Sequence, residues 1–411
     1  MSIITIFSSG FCNEAPIIDQ IVARTGYREI SDDLIVAEAS RRSGIPENKI
    51  KRAFSTETSV FNKFTHEKER SIAFVKQVLA EMVADDDVVV TNFSGQLIPK
   101  SVSHALRLCL IAPMKYRIET VSQQEAVSEK EAARMVHSKE EDCIYWMKTI
   151  CQAKDPWDPA FYDIVIPVDK TTIEEAADLV MEHVDTEVVK STPESEQALK
   201  DFHIAAETEV ALTLEGHHVD VSADRGVITL TINKHVLMLN RLKDELKSIV
   251  EKIQEVESIE ITIGQGFHKT DIYRKHDFKM PSKILLVDDE REYVKTLSER
   301  LILREMGSAV AYDGESALNL IQKDDPEVII VDLKMPGIDG FDVLQKVKES
   351  RPDIEVIILT GHGNDADGRR CMEMGAFAYL QKPLDINELS ETIKAANEKI
   401  RQRKAETDGH K

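Results

Sequence analysis

Toward the end of this 411-residue sequence, side chains able to bind a metal or move a phosphoryl group follow short apolar runs: Asp288 and Asp289 after ILLV, Asp332 after VIIV, Thr360 after VIIL and Lys382 after AYLQ. In an open parallel sheet those positions open onto one crevice outside the carboxyl ends of the strands, so the side chains are expected to converge. Three carboxylates held together repel one another and rise in pKa unless a divalent cation neutralises them, which predicts a Mg2+ site. A hard cation of that size takes oxygen ligands in octahedral geometry and keeps several waters. Moving a phosphoryl group onto a carboxylate oxygen needs in-line positioning and charge cancellation more than proton chemistry. An acidic trio, a hydroxyl and a lysine at one sheet edge meet those needs.

The elements that must position these residues run from 283 to 405, where five apolar strand runs are each followed by a helical pattern, ending in the amphipathic stretch Ile386 to Arg401. That alternation predicts a five-strand doubly wound sheet. Residues 1–185 alternate β-branched runs (Ile3 to Phe7, Val88 to Thr91, Leu108 to Ile111, Ile164 to Ile166) with helical stretches, a second α/β unit with a central parallel sheet. The polar stretch Asp185 to Gln197 reads as a linker. Residues 198–264 read as a small α+β module: a helix, strands Val219 to Ser222 and Val227 to Ile232 around the turn Asp224-Arg225-Gly226, a long helix, and a strand Ile259 to Ile263. Its long helix carries Leu239, Leu242, Leu246, Ile249, Ile253 and Val256 as one apolar seam. Such a seam packs on its own sheet or pairs with a second copy in a homodimer. Gly264 to Ser282, with Lys269, Arg274, Lys275 and Lys279, reads as a solvated tether.

The chain is long enough for about two to four domains, and its 42% hydrophobic content lets each bury a core. The net charge of −21 argues against a nucleic-acid partner, since binding a polyanion requires basic side chains to neutralise phosphates. No helix-turn-helix is evident. The five cysteines are scattered without a C-x-x-C pair, which fits thiols in a reducing compartment and points to the cytoplasm. No apolar run approaches bilayer length, and MSIITIFSSG has no charged leader region, so neither a transmembrane segment nor export is expected.

The blocks KILLVDDE, VDLKMPGIDG, ILTGHG and AYLQKP, in this order, resemble the signature of the response-regulator receiver domain. The resemblance implies a flavodoxin-like fold over 283–405, with Asp332 as the phosphoacceptor of a two-component phosphorelay. It also implies Mg2+ held directly by Asp289 and Asp332, partly through water by Asp288, and by the backbone carbonyl of Lys334. Lys382 would bind a phosphoryl oxygen and Thr360 would donate to another. Tyr379 stands where receivers carry the aromatic that turns inward as the threonine moves, giving a Thr360–Tyr379 switch. Lys334 and His362 occupy positions that tune dephosphorylation. The implied partners are a sensor histidine kinase or phosphotransfer protein and an output protein contacted through the Tyr379 face and last helix.

Residues 1–185 are similar to the cytidylate-kinase-like branch of P-loop nucleotide kinases, through RTGYREISDDLI, VVVTNFSG, LRLCLIAP, the lid-like MKYRIETVSQQEAVSEKEAARMV and DPAFYDIVIP. A phosphate cradle wants several glycines and a lysine. After Phe7 this chain offers Ser8, Ser9, Gly10, Phe11, Cys12, Asn13 and Glu14. With one glycine, no lysine and an added carboxylate, that degenerate nucleotide loop predicts a fold kept without kinase turnover. Cys143 falls where such kinases carry a phosphate-gripping lid arginine, and Arg117 and Arg134 read as surface residues. HHVDVSADRGVITLTI followed by EVESIEITI resembles a BON domain, with Ile232 and Asn233 where that family has a glycine. His217 and His218, lacking a third ligand, read as strand or turn residues. The leading expectation is a response regulator with no independent enzymatic turnover beyond receiver phosphorylation and dephosphorylation. The alternatives are a receiver-regulated nucleotide kinase of cytidylate type and an adaptor paired through the seam.

Overall fold

Strands buried along their whole length have no face to give to solvent, and in a parallel sheet both faces must be covered. IITIFS near the start and VIIV toward the end are such runs. Ile3 and Phe7 enter one apolar core while Ile4 and Ile6 enter another, and Leu285 and Val287 likewise part from Ile284 and Leu286. The computed structural model describes residues 2–408 except 86, 185, 234–237, 265, 266, 268–282, 305, 362 and 363. The chain forms two compact units, residues 1–58 with 68–274, and residues 59–67 with 275–411.

The first unit holds strands β1 (Ile3–Ser8), β2 (Arg28–Ile30), β3 (Val88–Thr91), β4 (Ala105–Ile111) and β5 (Ile164–Pro167) in a parallel sheet of order β2-β3-β1-β4-β5. β2 was not expected, because Arg28 and Glu29 are exposed on an edge strand and leave no apolar run to read. The same unit contains β6 (Asp220–Asp224), β7 (Val227–Ile232) and β8 (Ser258–Ile263), with β7 antiparallel to β6 and parallel to β8.

The stretch expected as a linker ends inside a helix. Thr192 accepts the Ser195 N–H as its N-cap, Pro193 opens the first turn, and Glu194 and Glu196 sit against the positive end of the helix dipole. The helix Pro193–Leu214 then presents two apolar faces. Leu199, Phe202, Ala206 and Val210 belong to the core beside β1 and β3, whereas Ile204 and Leu212 belong to the core under β6–β8. Asp201 accepts the N–H groups of Arg225 at 2.7 Å and Gly226 at 2.9 Å, so the same helix also caps the β6–β7 turn.

The seam residues all pack on this module's own sheet. Their helix is shorter than expected, Leu239–Val250, and Ile253 and Val256 join the core from the following turns. The seam therefore lacks the uninterrupted helical surface that pairing with a second copy would use. The tether read over 264–282 lies outside the described residues apart from Gly264 and Phe267.

In the second unit β9 (Ile284–Val287), β10 (Ser308–Ala311), β11 (Val328–Val331), β12 (Glu355–Thr360) and β13 (Ala378–Gln381) form a parallel sheet of order β10-β9-β11-β12-β13, the doubly wound flavodoxin order. Its last helix, Ile386–Asp408, runs beyond the expected end. At the amino end of β12, Glu355 is buried and held by Lys399 at 3.0 Å and Arg403 at 2.7 Å from that helix. Among the described residues no helix is long and apolar enough to cross a membrane.

All five cysteines are free thiols, and four of them are buried. Burial pushes Cys12, Cys109 and Cys143 up to about 12 and Cys371 to about 11, and it raises Cys151 as well. Since the thiolate is the reactive form, a thiol-specific disulfide reagent at mildly alkaline pH is expected to label the native chain slowly. In denaturant the same reagent should count five thiols; fast labelling of the native chain at Cys12, Cys109 or Cys143 would refute the burial.

Candidate functional site

The carboxylates come together because β9 and β11 end in register. Val331 pairs with Val287 on one side and Ile358 on the other, so Asp288 and Asp332 emerge at one height and Thr360 follows one residue further along β12. The ladder bonds continue past the strands and fix the backbone there. Asp288 N–H donates to Ala311 O at 3.2 Å, Asp332 N–H to Val287 O at 2.9 Å and Lys382 N–H to Thr360 O at 2.9 Å. Carboxylate oxygens of Asp288, Asp289 and Asp332 lie within 4.8 Å of one another. Asp288, Asp332 and Thr360 are buried, and Asp289 is exposed at the mouth.

Lys382 closes this cluster. Its Nζ donates to Asp288 Oδ2 at 2.7 Å and stands 3.4 Å from Glu290 Oε1 and 3.7 Å from Asp332 Oδ2. The ammonium also lies 4.3 Å from the centre of the Tyr293 ring. Burial pushes Asp288 above the ordinary carboxylate range and the charge of Asp332 adds to the rise, outweighing the Lys382 hydrogen bond that favours ionisation. For Lys382 burial acts against the charge, but the hydrogen bond to Asp288 and the charges of Asp288, Asp332 and Glu290 leave its pKa raised. Among the described residues, the buried Asp332 Oδ1 has no hydrogen-bond partner. A buried carboxylate oxygen without a donor, beside two further carboxylates, fits a hard divalent cation.

Glu290 and Tyr293 were missed in the sequence. The signal for Glu290 was its place directly after the acidic pair, and Tyr293 is one turn into the following helix, Arg291–Ile302. Lys334 is exposed two residues beyond Asp332. Tyr379 is half-buried on β13, and burial raises its pKa. His362 lies outside the described residues. Among the described residues the acidic trio is the group of three or more side chains able to hold a metal, and His217 and His218 belong to none.

At the end of β1 the structure places Ser8, Ser9 and Gly10 in a loop where three backbone donors are engaged inside the protein, while the buried Ser9 Oγ has no hydrogen-bond partner among the described residues. Ser9 N–H donates to Leu110 O, Gly10 N–H to Ser8 Oγ and Cys12 N–H to Glu14 Oε2. Glu14 precedes the helix Ala15–Thr25, so a carboxylate accepts a donor where a phosphate would sit in a nucleotide cradle. Gly10 has φ +71°, and a Cβ there would lie 2.6 Å from Lys139 Cγ.

Arg117, expected at the surface, is buried: it donates to Ser9 O at 2.6 Å and Gly10 O at 3.0 Å, and pairs with Glu140 at 3.0 Å. The correction follows from the loop, whose carbonyls point inward and need a buried donor. Arg134 is on the surface with Glu131, and the buried Cys143 sits 3.9 Å from Ser8 O.

Residues 284–394 match the family model described as "Response regulator receiver domain", and residues 3–170 match "Cytidylate kinase-like family". Neither match extends into 198–264. Among curated relatives, "Probable transcriptional regulator ycf27" of Guillardia theta is 39% identical over 119 residues, 29% of this chain and 46% of that protein. "Sporulation initiation phosphotransferase F" of Bacillus subtilis is 33% identical over 115 residues, 28% of this chain and 93% of that protein. A solved receiver domain protein from Clostridium thermocellum is 33% identical with a TM-score of 0.28, covering 30% of this chain and 98% of that one. The chain spans about half the length of the first curated relatives, 46% and 50%.

A metal bound at the trio should stabilise the fold by mass action, by about 2.7 kcal/mol when Mg2+ is at roughly 100 times its Kd. Thermal unfolding with and without Mg2+ tests this. The wild type should gain stability, and Asp289→Ala, an exposed change, should abolish the gain; an equal gain in both would place the metal elsewhere. On the aligned strand ends and the matched blocks together, residues 284–394 make this chain a member of the response-regulator receiver family, with a cytidylate-kinase-like region over 3–170 preceding it.

Proposed function

We propose that the chain is a two-component response regulator whose receiver accepts a phosphoryl group on Asp332 and signals by protein contact. The observation that carries this reading is the contact of Lys382 with both Asp288 and Asp332 at the ends of adjacent strands. A carboxylate oxygen of Asp332 forms a bond to phosphorus as the bond from phosphorus to the imidazole nitrogen of a donor histidine breaks, and that nitrogen keeps the electron pair. Asp288, Asp289 and Asp332 would hold Mg2+ with the Lys334 carbonyl, and the ion supplies charge neutralisation at the phosphoryl oxygens. Lys382 turns from Asp288 to a phosphoryl oxygen as a point charge, and the Thr360 hydroxyl donates to another. The product places a phosphoryl group carrying roughly two negative charges where the Asp332 carboxylate carried one, which draws in Thr360 and frees the space that Tyr379 then fills.

The donor is a histidine kinase or phosphotransfer protein, the site of action is the cytoplasm, and the output is a protein reached through the Tyr379 face and last helix. Lys334 and His362 tune the lifetime of the acyl phosphate. A nucleic-acid output is disfavoured by the charge of −21, and the receiver match covers only part of the relatives named as transcriptional regulators. The cytidylate-kinase-like region serves as a binding or docking body without turnover, supported by the engagement of the loop donors and by Arg117 being held on the loop carbonyls.

Incubation of the full chain with acetyl phosphate and Mg2+ is expected to add one phosphoryl group by intact mass, and Asp332→Ala to add none. Unchanged labelling of that variant would overturn the assignment. In the same preparation, phosphoryl transfer from ATP to CMP should stay at background; measurable turnover abolished by a substitution in residues 8–14 would restore the kinase reading.

A further inference from the structure

Within the second unit, strand β10 is built of small residues on one side. Gly307, Ala309 and Ala311 alternate with Ser308 and Val310, so the glycine and two alanines share a face. The space beside them is filled by a segment far away in sequence. Phe61 is fully buried in the core that contains Leu285, Val287, Ala309 and Ala311. Phe64, 9% exposed, lies so close to Gly307 that a Cβ there would stand 2.3 Å from the ring. The two aromatics are set by the one-turn helix Asn62–Thr65, in which Phe61 O accepts the Phe64 and Thr65 N–H groups at 2.8 and 3.0 Å. At the end of the segment Glu67 pairs with Lys283, and neither side chain is more than 19% exposed.

We propose that residues 59–67 are an in-chain ligand of the receiver, a pair of phenylalanines seated in a slot that its β10 strand is shaped to receive. Three independent features fit that occupant: the small residues against the rings, the buried Phe61, and the ion pair that fixes the end of the segment. Alanine and glycine on a buried strand cost packing unless large side chains meet them, and here two do. The slot adjoins the acidic site, because Ala311 O, on the last residue of β10, accepts the N–H of Asp288. The inference rests on packing alone and stands apart from the phosphoryl reading.

The test is a double-mutant cycle in the full chain, read by hydrogen exchange of residues 59–67 and 308–321. Gly307→Ala alone should lower protection of both segments at least tenfold, because the added methyl collides with the Phe64 ring. In a Phe64→Ala background the same change should alter protection less than twofold, since the ring is gone. Should Phe64→Ala fail to fold, Phe64→Leu serves as the background and should reduce the effect of Gly307→Ala to under half. An equal effect of Gly307→Ala in both backgrounds overturns the proposal, as does wild-type exchange of 59–67 at the unprotected rate beside a protected 308–321.

Discussion

The receiver fold depends at its working edge on a lysine set against acidic groups that would otherwise repel one another. Buried carboxylates at adjacent strand ends are costly, and Lys382 offsets that cost by meeting Asp288 and Asp332 at once. The balance is incomplete, since Asp288 remains above its ordinary pKa and Asp332 Oδ1 lacks a donor among the described residues. An edge left in this state has room for one more positive charge. It also has a lysine that can change partners once further negative charge arrives.

The same electrostatic reasoning separates the two α/β sheets of the chain. Both bring a loop to the carboxyl end of a buried strand, where ligands of open α/β sheets bind. At the receiver the groups face the crevice and await compensation. After β1 they have turned inward: the N–H groups of Ser9, Gly10 and Cys12 and the guanidinium of Arg117 have all found acceptors inside the protein. One sheet edge retains uncompensated carboxylates and the other has turned these backbone donors inward, although their strand patterns look alike.

Much of this was legible in the sequence because the signals are local. Apolar runs of four to six residues gave the receiver strands, and their register followed from the sheet order, so Asp288, Asp289, Asp332 and Lys382 could be placed together. What escaped was set by contacts distant in sequence. β2 has one buried residue and pairs only because β3 is beside it. Arg117 resembles any helix-face arginine until the loop carbonyls of Ser9 and Gly10 are seen to point at it. The segment Asp185 to Gln197 was read for its polarity, although Thr192, Pro193 and Glu194 are also the residues that start a helix.

The helix Pro193–Leu214 has a further consequence. Its two apolar faces serve different cores, with Phe202 and Ala206 on one and Ile204 and Leu212 on the other, while Asp201 grips a turn between strands. Each added residue advances an α-helix by about 100° and 1.5 Å. A single residue inserted between Ile204 and Ala206 would turn Ala206, Val210 and Leu212 away from the faces set by Leu199, Phe202 and Ile204, so both cores would lose register at once. The length of this helix is thus constrained to the residue, and its two bodies are geared together like wheels keyed to one shaft.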